Sequence, residues 1–201
     1  MSAPPLILAS ASPSRRQLLA DAGLSFEVEA SGVDEDEAKL SLKTERPSIL
    51  AETLADMKAR RVSARHPDAF VIGGDSVLAC DGRLFDKPAT RAGARAQLLA
   101  LGGRTHELWS AAVVARRGAR IWHHNECTKL TMKPFSEAFV DAYLARAGDA
   151  ILSSVGSYHL EGLGIQLFSR IEGDLFTARG LPLVPLLVFL ARRGIGLEHA
   201  A

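Results

Sequence analysis

The sequence predicts a mixed α/β fold, of the α/β or α+β class, built on a twisted mixed sheet flanked by helices. Helical and strand periodicities alternate through the first half of the chain, and paired strands with tight turns follow in the middle. The 201 residues are 47% hydrophobic and 23% charged, which is typical of a globular domain with ample core. No repeat or long linker interrupts the pattern, so we expect a single domain over residues 1–201.

The first elements are short and separated by small polar residues. Residues 6–9 form an apolar run typical of a buried strand, and residues 15–22 place apolar side chains on one helical face. Gly23 is the expected helix stop. Residues 26–30 alternate apolar and acidic residues, which predicts a strand, and an acidic loop is expected over residues 33–37.

A long helix and a second buried strand come next. The periodicity predicts the helix from Ser48 to about Arg65 and the strand over residues 69–73. Asp75 then follows two glycines, so we expect it at the carboxyl end of that strand. The Asp-Gly pair at residues 81–82 separates two short apolar runs, which is a strong signal for a type I′ hairpin.

The second half of the chain carries the same kinds of signal, with glycines or a serine at the element ends. The predicted elements are a helix at 91–101, long strands at 105–115 and 120–132, a helix from Ser136 to about 147, short strands and turns over 156–180, and a helix at 183–193.

Composition excludes several classes of protein. The formal net charge is +1, so the chain lacks the overall positive charge that attracts a nucleic-acid backbone. Two cysteines, Cys80 and Cys127, are too few for a disulfide framework. The start of the chain lacks the charged and apolar regions of a signal peptide, and the longest apolar run is too short to span a bilayer. We therefore expect a cytoplasmic protein without nucleic-acid or membrane partners.

The first predicted strand leads directly into a candidate anion site. Ser10, Ser12 and Ser14 offer hydroxyl groups, and Arg15 and Arg16 offer guanidinium groups that suit phosphate oxygens. Free backbone N–H groups at a helix N-terminus favour anions as well. An ordinary serine-capped helix with solvated arginines explains the same residues equally well.

Two further side chains are expected near that site. Asp75, beyond a buried strand, is placed to bind a divalent cation or to accept a proton from water, although a turn aspartate that caps the backbone explains it too. Lys87, at the exit of the predicted hairpin, is close enough in sequence to reach the same region. The simpler reading of Lys87 is a surface lysine.

Lys58 falls on the apolar stripe of the long predicted helix. A lysine on such a face needs a path to solvent or a buried partner. Asp34 or Glu35 in the acidic loop is placed to be that partner. Arg61 lies near the same face, so the helical geometry alone does not single out Lys58.

A glycine-rich run over residues 156–164 allows close approach of the backbone to a ligand. Within it, Tyr158 is a candidate for stacking on a base, and Glu161 for accepting from a base edge or binding a metal. An ordinary glycine-rich turn is the alternative. His106 and His159 are more readily explained as structural than as catalytic residues.

Together, these motifs resemble the Maf-like nucleoside triphosphate pyrophosphatase family. The resemblance runs in order over nearly the whole chain, from the first strand to the last helix. The residues that carry it are Ser10 to Arg16, Val33 to Glu35, Leu54 to Ala59, Ile72 to Val77, Asp86 to Pro88, Gly156 to Tyr158, Glu161 to Gly162, Ile171 to Asp174 and Gly180 to Leu183.

The resemblance implies a fold related to the inosine triphosphate pyrophosphatases, with a deep cleft. It implies hydrolysis of a nucleoside triphosphate to the monophosphate and pyrophosphate with a divalent cation, Mg²⁺ or Mn²⁺, in a house-cleaning role, and it is compatible with a homodimer. The residues it points to are Asp75 as proton acceptor, Asp75 and Glu35 as metal ligands, and Ser10, Arg15, Arg16, Lys58, Lys87 and Glu161 as substrate contacts.

The sequence departs from the family pattern at a few positions that bear on the substrate. Ser14 stands where many members have an arginine, and Glu161 where many have a glutamine. The run from Glu161 to Gly164 is more similar to the branch that prefers 7-methyl-GTP than to the branch that prefers dTTP and UTP. Ser76 matches neither branch.

Two other classes of function compete with an enzyme. One is a catalytically silent nucleotide-binding regulator of cell division, against which the presence of Asp75, Lys58 and Lys87 argues. The other is a nucleic-acid-binding module, which the nearly neutral charge and the few aromatic residues disfavour.

Overall fold

A computed structural model of the chain describes residues 4–42 and 46–197. The strands are β1 (Leu6–Leu8), β2 (Glu27–Val28), β3 (Phe70–Cys80), β4 (Arg83–Phe85), β5 (Thr105–Arg116), β6 (Ala119–Met132) and β7 (Phe168–Glu172). The helices are α1 (Pro13–Asp21), α2 (Glu35–Ser41), α3 (Pro47–Ser63), α4 (Arg91–Leu101), α5 (Glu137–Ala147), α6 (Leu175–Ala178) and α7 (Leu183–Ala191). Three short 3₁₀ turns, Asp149–Ser153, Val155–Ser157 and Leu163–Leu167, lie between α5 and β7.

Within the described residues, the strands form one mixed sheet in the order β2-β1-β3-β5-β6-β7, with β4 beside β3. β1 is parallel to both β2 and β3, while the pairs β3–β4, β3–β5, β5–β6 and β6–β7 are antiparallel. This sheet and its flanking helices confirm the predicted mixed α/β class.

Local sequence signals set the start of α1 and two hairpin turns. The Ser12 hydroxyl accepts from the Arg15 backbone N–H, and Pro13 occupies the first turn of α1. In the β3–β4 turn, Asp81 has a φ of 49° and Gly82 a φ of 76°, as a type I′ hairpin requires. The β5–β6 hairpin turns at Arg117 and Gly118, which also have positive φ angles, of 53° and 73°.

Three sequence predictions need correction. β3 does not end at Gly73 but continues to Cys80, because β5 pairs with it from Val71 to Ala79. Asp75 therefore lies in the middle of a strand and not at its carboxyl end. The expected acidic loop forms the short helix α2 from Glu35 onward, and the strand predicted over residues 26–30 shrinks to the two exposed residues of β2.

One edge of β3 is interrupted, and this interruption positions the cleft. Since β5 occupies one edge of β3, β1 and β4 share the other, pairing with residues 70–72 and 78–80 respectively. Among the described residues, no strand pairs with residues 73–77 on that edge. The chain leaves β1 at this gap and enters α1, so the serines of this connection and Arg15 face the opening.

The helices form layers on both faces of the sheet. α3 packs on the face that carries Val71, Gly73, Asp75 and Val77, and its buried alanines and leucines fill that layer. α1 and α7 cover the opposite face, with their leucines packed on Phe70 and Ile72. A third apolar cluster joins α4 and α5 to the far end of β3. No helix in the described ranges is long and apolar enough to cross a membrane.

Gly73 allows α3 to approach β3 closely enough to deliver Lys58 to the cleft. A Cβ atom at Gly73 would lie 2.2 Å from the Ala55 carbonyl oxygen and 2.8 Å from the Ala59 nitrogen. Both are backbone atoms of α3, so the helix would have to move as a whole.

We predict that Gly73→Ala lowers the free energy of unfolding by about 3 kcal/mol, since overpacking against backbone finds no flexible side chain to displace. Gly93→Ala, in α4, is the matched control. The nearest contact of its added Cβ is 3.5 Å away, and alanine favours the helix, so stability should hold or rise by about 0.5 kcal/mol. Urea unfolding measures both, and an unchanged midpoint for Gly73→Ala would contradict the close approach.

Candidate active site

A cleft of about 410 Å³ opens at the interrupted edge of β3, a size that suits a small ligand. Its floor includes Asp75 and Ser76. One wall comes from the β1–α1 connection and α2, and the other from the 3₁₀ turns and the segment after α6. The predicted site residues found in its lining are Ser10, Ser12, Ser14, Arg15, Glu35, Lys58, Asp75, Lys87, Tyr158 and Glu161.

Lys58 reaches the cleft floor from α3 and contacts two carboxylates. Its Nζ donates to Asp75 Oδ1 at 2.6 Å and lies 2.7 Å from Glu35 Oε1. The side chains of Lys58 and Asp75 are 6% and 7% exposed, against 32% for Glu35. The sequence predicted a partner from Asp34 or Glu35, and the structure confirms Glu35 and adds Asp75.

The lysines around Glu35 determine its ionisation. Partial burial raises the pKa of Glu35, but the charge and hydrogen bond of Lys58, with the charges of Lys87 and Lys39, lower it by more. The net pKa lies below the ordinary 4.5. The ionised Glu35 carboxylate therefore stabilises the fold at pH values above 4.5, and this contribution is lost as the pH falls through the lowered pKa.

Arg15 approaches the same gap from the opposite face of the sheet. Its Nε donates to the Gly180 carbonyl oxygen at 2.9 Å, and its two terminal nitrogens donate to Ser10 Oγ at 3.3 Å and Ser76 Oγ at 2.9 Å. Ser76 Oγ is in turn 2.9 Å from Ser110 Oγ on β5. Burial lowers the pKa of Arg15 while the charges of nearby carboxylates raise it.

These bonds hold the guanidinium of Arg15 in one orientation. Its side chain crosses Gly74, where a Cβ atom would lie 3.0 Å from both Cδ and Nε. A planar group with several donors, fixed in a buried site, suits phosphate oxygens.

The first turn of α1 is linked to the opposite wall through Glu161. Ser14 Oγ donates to Glu161 Oε1, and His159 Nδ1 lies 3.8 Å from the same oxygen. The contact links the start of α1 to the glycine-rich run, and the predicted role of Glu161 toward a base edge or a metal stays a prediction.

Lys87 and Lys39 add positive charge where the cleft opens. Lys87 is exposed and lines the cleft from the segment after β4. Lys39, on α2, lines it as well and donates to Asp86 Oδ1 at 2.7 Å. Burial lowers the pKa of Lys39, but its bond to Asp86 and the charges of Asp86, Asp75 and Glu35 raise it by more.

The structure does not bring every predicted residue to the cleft. Arg16 lies on the exposed side of α1, outside the lining, because the residue after Arg15 points away from the helix face that packs on the sheet. Tyr158 does lie in the cleft lining, but it is only 3% exposed and its hydroxyl pairs with His106 Nε2 at 2.9 Å. The expected base stacking of Tyr158 therefore conflicts with its packing in the core.

His106 has the structural role that the sequence favoured. Its ring is 1% exposed and packs beside Tyr158 and Phe168. Burial lowers the pKa of His106 to about 4, so the ring is neutral at physiological pH. It holds a core aromatic in place and does not enter the cleft lining.

Sequence reasoning missed Ser76, Ser110 and Lys39. Ser76 and Ser110 become neighbours only through the pairing of β3 with β5. Lys39 follows Glu35 by four residues, a spacing that would have placed both on one helix face, had residues 33–37 been recognised as leading into a helix.

The carboxylates fit a divalent cation that also binds the ligand. Within the described part of the chain, no group of three or more His, Cys, Asp or Glu side chains is arranged to hold a metal. Asp75 and Glu35 nevertheless converge on Lys58 Nζ and offer hard oxygen donors. Mg²⁺ is commonly held by one or two carboxylates with phosphate oxygens and water completing its coordination.

Comparisons with known proteins give a consistent result along the chain. The family model described as Maf-like protein matches residues 5–193. A nucleoside triphosphate pyrophosphatase of Paramagnetospirillum magneticum is 55% identical over 190 residues, which are 94% of this chain and 98% of that protein. A protein of the same name from Rhodospirillum rubrum is 53% identical over 194 residues, 96% of each chain.

A relative with a narrower name and a distant structure also match. A 7-methyl-GTP pyrophosphatase of Rhizobium etli is 48% identical over 193 residues, 95% of this chain and 97% of that protein. The crystal structure of a nucleoside-triphosphatase, named dITP/XTP pyrophosphatase, from Mycobacterium abscessus aligns with a TM-score of 0.39 and 20% identity, covering 94% of both chains.

We predict that Lys58→Met lowers the free energy of unfolding by about 3 kcal/mol, because Asp75 then stays buried without its cation. Adding Asp75→Asn to that variant should recover about 1 kcal/mol or more, since the uncompensated charge is gone. Lys129→Met, at a lysine 56% exposed, is the control and should change stability by under about 0.5 kcal/mol. Urea unfolding at pH 7 measures all four proteins, and a double variant no more stable than Lys58→Met would contradict the pairing.

Proposed function

The chain belongs to the Maf-like protein family, and from its cleft we propose that it is a nucleoside triphosphate pyrophosphatase that releases the monophosphate and pyrophosphate. The observation that carries this proposal is the buried Asp75 carboxylate at the floor of a cleft that Arg15, Lys58 and Lys87 line with positive charge. Relatives at 53% and 55% identity carry that name. Removal of unwanted nucleotides, a house-cleaning role, is the corresponding function.

The cations of the cleft suit a triphosphate. Arg15 presents a fixed guanidinium group, while Lys58 and Lys87 contribute ammonium groups from α3 and from the segment after β4. Hydrolysis of a phosphoanhydride develops negative charge on the leaving pyrophosphate. Preorganised positive groups stabilise that charge more in the transition state than in the ground state, which accelerates the reaction.

Asp75 is placed to accept a proton from the attacking water. Its Oδ1 is held by Lys58 Nζ at 2.6 Å, which fixes the carboxylate on the floor. The other oxygen is then available to orient a water molecule toward the α-phosphorus. An ionised carboxylate is a weak base at neutral pH, so positioning accounts for much of its contribution.

A divalent cation would be held by Asp75 and Glu35. An oxygen of each carboxylate already contacts the same atom, Lys58 Nζ, at 2.6 Å for Asp75 and 2.7 Å for Glu35. When bound, Mg²⁺ or Mn²⁺ would polarise phosphate oxygens and make water more acidic. Ser10, close to Arg15, and Glu161, held by Ser14, are proposed as further substrate contacts.

The alternative of a catalytically silent regulator of cell division has no observation in its favour. A binding protein gains nothing from a carboxylate buried with its lysine at a cleft floor, because such a pair costs desolvation energy. Preference for 7-methyl-GTP stays a prediction, as do cytoplasmic location and a homodimer. Arg16 as a substrate contact also stays a prediction, with no support from its exposed position.

We predict that the protein releases pyrophosphate from a nucleoside triphosphate and that Asp75→Asn lowers kcat by about a thousand-fold, since an amide cannot accept the proton. The neutral amide keeps the shape of the side chain, so the fold should persist by circular dichroism. A coupled pyrophosphate assay measures the rate, with Asp68→Asn, at an exposed turn, as the control. Release of single phosphate, or normal turnover by Asp75→Asn, would rule out this assignment.

Removal of divalent cations should abolish pyrophosphate release, and added Mg²⁺ or Mn²⁺ should restore it. Glu35→Gln should raise the Mg²⁺ concentration needed for half-maximal rate by about ten-fold, because one carboxylate ligand is lost. Titration of the metal at saturating nucleotide measures this shift. Full activity in excess EDTA would show that the carboxylates hold no metal during turnover.

A further inference from the structure

α2 is joined to the rest of the cleft by two ion pairs one helical turn apart. Glu35, its first residue, pairs with Lys58 on the cleft floor. Lys39, four residues later, lies on the same helix face and pairs with Asp86 at 2.7 Å. Asp86 directly follows β4 and precedes Lys87. We call Lys39, Asp86 and Lys87 the rim of the cleft.

The two partners at the rim differ in their exposure to water. The Lys39 side chain is 25% exposed and lines the cleft, whereas the Asp86 side chain is 70% exposed. An ion pair with one partner largely in water contributes little net stability, because both solvent and salt screen it. Lys39 can therefore exchange Asp86 for a stronger anion at low cost.

Lys39 also lies within the electrostatic field of the catalytic carboxylates. The charges of Asp75 and Glu35 act on it, and its own charge acts on Glu35 together with those of Lys58 and Lys87. Three lysines therefore surround one acidic group. Lys58 pairs with the buried Asp75 and the partly exposed Glu35, while among the described residues Lys39 pairs with the exposed Asp86.

We propose that Lys39 is a further substrate-binding residue, which exchanges Asp86 for the terminal phosphates of the nucleoside triphosphate. The proposal rests on the proposed function, since it assumes that a triphosphate enters this cleft. Asp86 pairs with the lysine at the rim and competes with the substrate for it. Together with Lys87, Lys39 then holds the leaving pyrophosphate at the rim while Asp75 acts at the floor.

Binding of inorganic pyrophosphate tests this role without requiring catalysis. Calorimetry in the presence of Mg²⁺ compares the wild-type protein with Lys39→Met, Lys39→Arg and Asp86→Asn. Lys39→Met should weaken binding by about ten-fold, as the loss of one charge-assisted hydrogen bond predicts. Lys39→Arg keeps the charge and should bind within about three-fold of the wild-type protein.

Asp86→Asn gives the sharper contrast, because it frees Lys39 and removes a negative charge from the rim. Pyrophosphate should then bind about three-fold more tightly, and this gain should disappear in the double variant with Lys39→Met. If Asp86→Asn instead weakens binding as much as Lys39→Met does, the ion pair serves only to hold α2. Binding by Lys39→Met that equals that of the exposed control Lys129→Met also overturns the proposal.

The assay of the wild-type protein separates this proposal from the proposed function. If pyrophosphate binding depends on Lys39 but the wild-type protein releases no pyrophosphate from any nucleoside triphosphate, the enzymatic function is refuted and the binding role of Lys39 stands. If the wild-type protein releases pyrophosphate from a nucleoside triphosphate, but Lys39→Met binds pyrophosphate as tightly as the wild-type protein does, only the proposed role of Lys39 is refuted.

Discussion

The rest of the site depends on the ion pairs of the Lys58 ammonium group with Asp75 and Glu35. This group joins β3, through Asp75, to α2, through Glu35, from its own position on α3. Because Lys58 and Asp75 are both nearly inaccessible to water, the Asp75 carboxylate depends on the Lys58 charge, whereas Lys58 also has Glu35 as a partner. Replacing such a group by well-packed apolar residues is often neutral or stabilising. Its presence here therefore indicates a function that needs an ionised carboxylate at this point.

The interrupted edge of β3 gives that carboxylate its surroundings. On the edge of β3 that β1 and β4 share, no strand of the described residues pairs with the stretch between them, so side chains reach this gap from both faces of the sheet. Lys58 comes from the α3 face and Arg15 from the α1 face, where Gly74 leaves room for its side chain. Gly73, which α3 approaches, and Gly74, which the Arg15 side chain crosses, are therefore as necessary to the site as the charged groups.

The sequence was most informative where a local rule decides the structure. The serine-capped start of α1, the Asp-Gly turn and the need of Lys58 for an acidic partner were all predictable from a few neighbouring residues. The course of β3 was not. Gly74, Asp75 and Ser76 have low strand propensity, and only their pairing with Ala112, Ala111 and Ser110 across the sheet keeps them extended. The roles of Ser76, Ser110 and Lys39 depend on contacts between elements distant in sequence, and Arg16 shows that adjacency to a site residue does not place a side chain in the site.

In the proposed mechanism the two ends of the cleft have different tasks. Asp75 at the floor would act on water and the cations toward the rim would hold the departing phosphates, so water should attack the α-phosphorus. Hydrolysis in H₂¹⁸O, with mass analysis of both products, tests this assignment most directly. The account predicts that the heavy oxygen appears in the nucleoside monophosphate and not in the pyrophosphate. Heavy oxygen in the pyrophosphate would mean attack at the β-phosphorus and would contradict the placement of Asp75 beside the α-phosphorus.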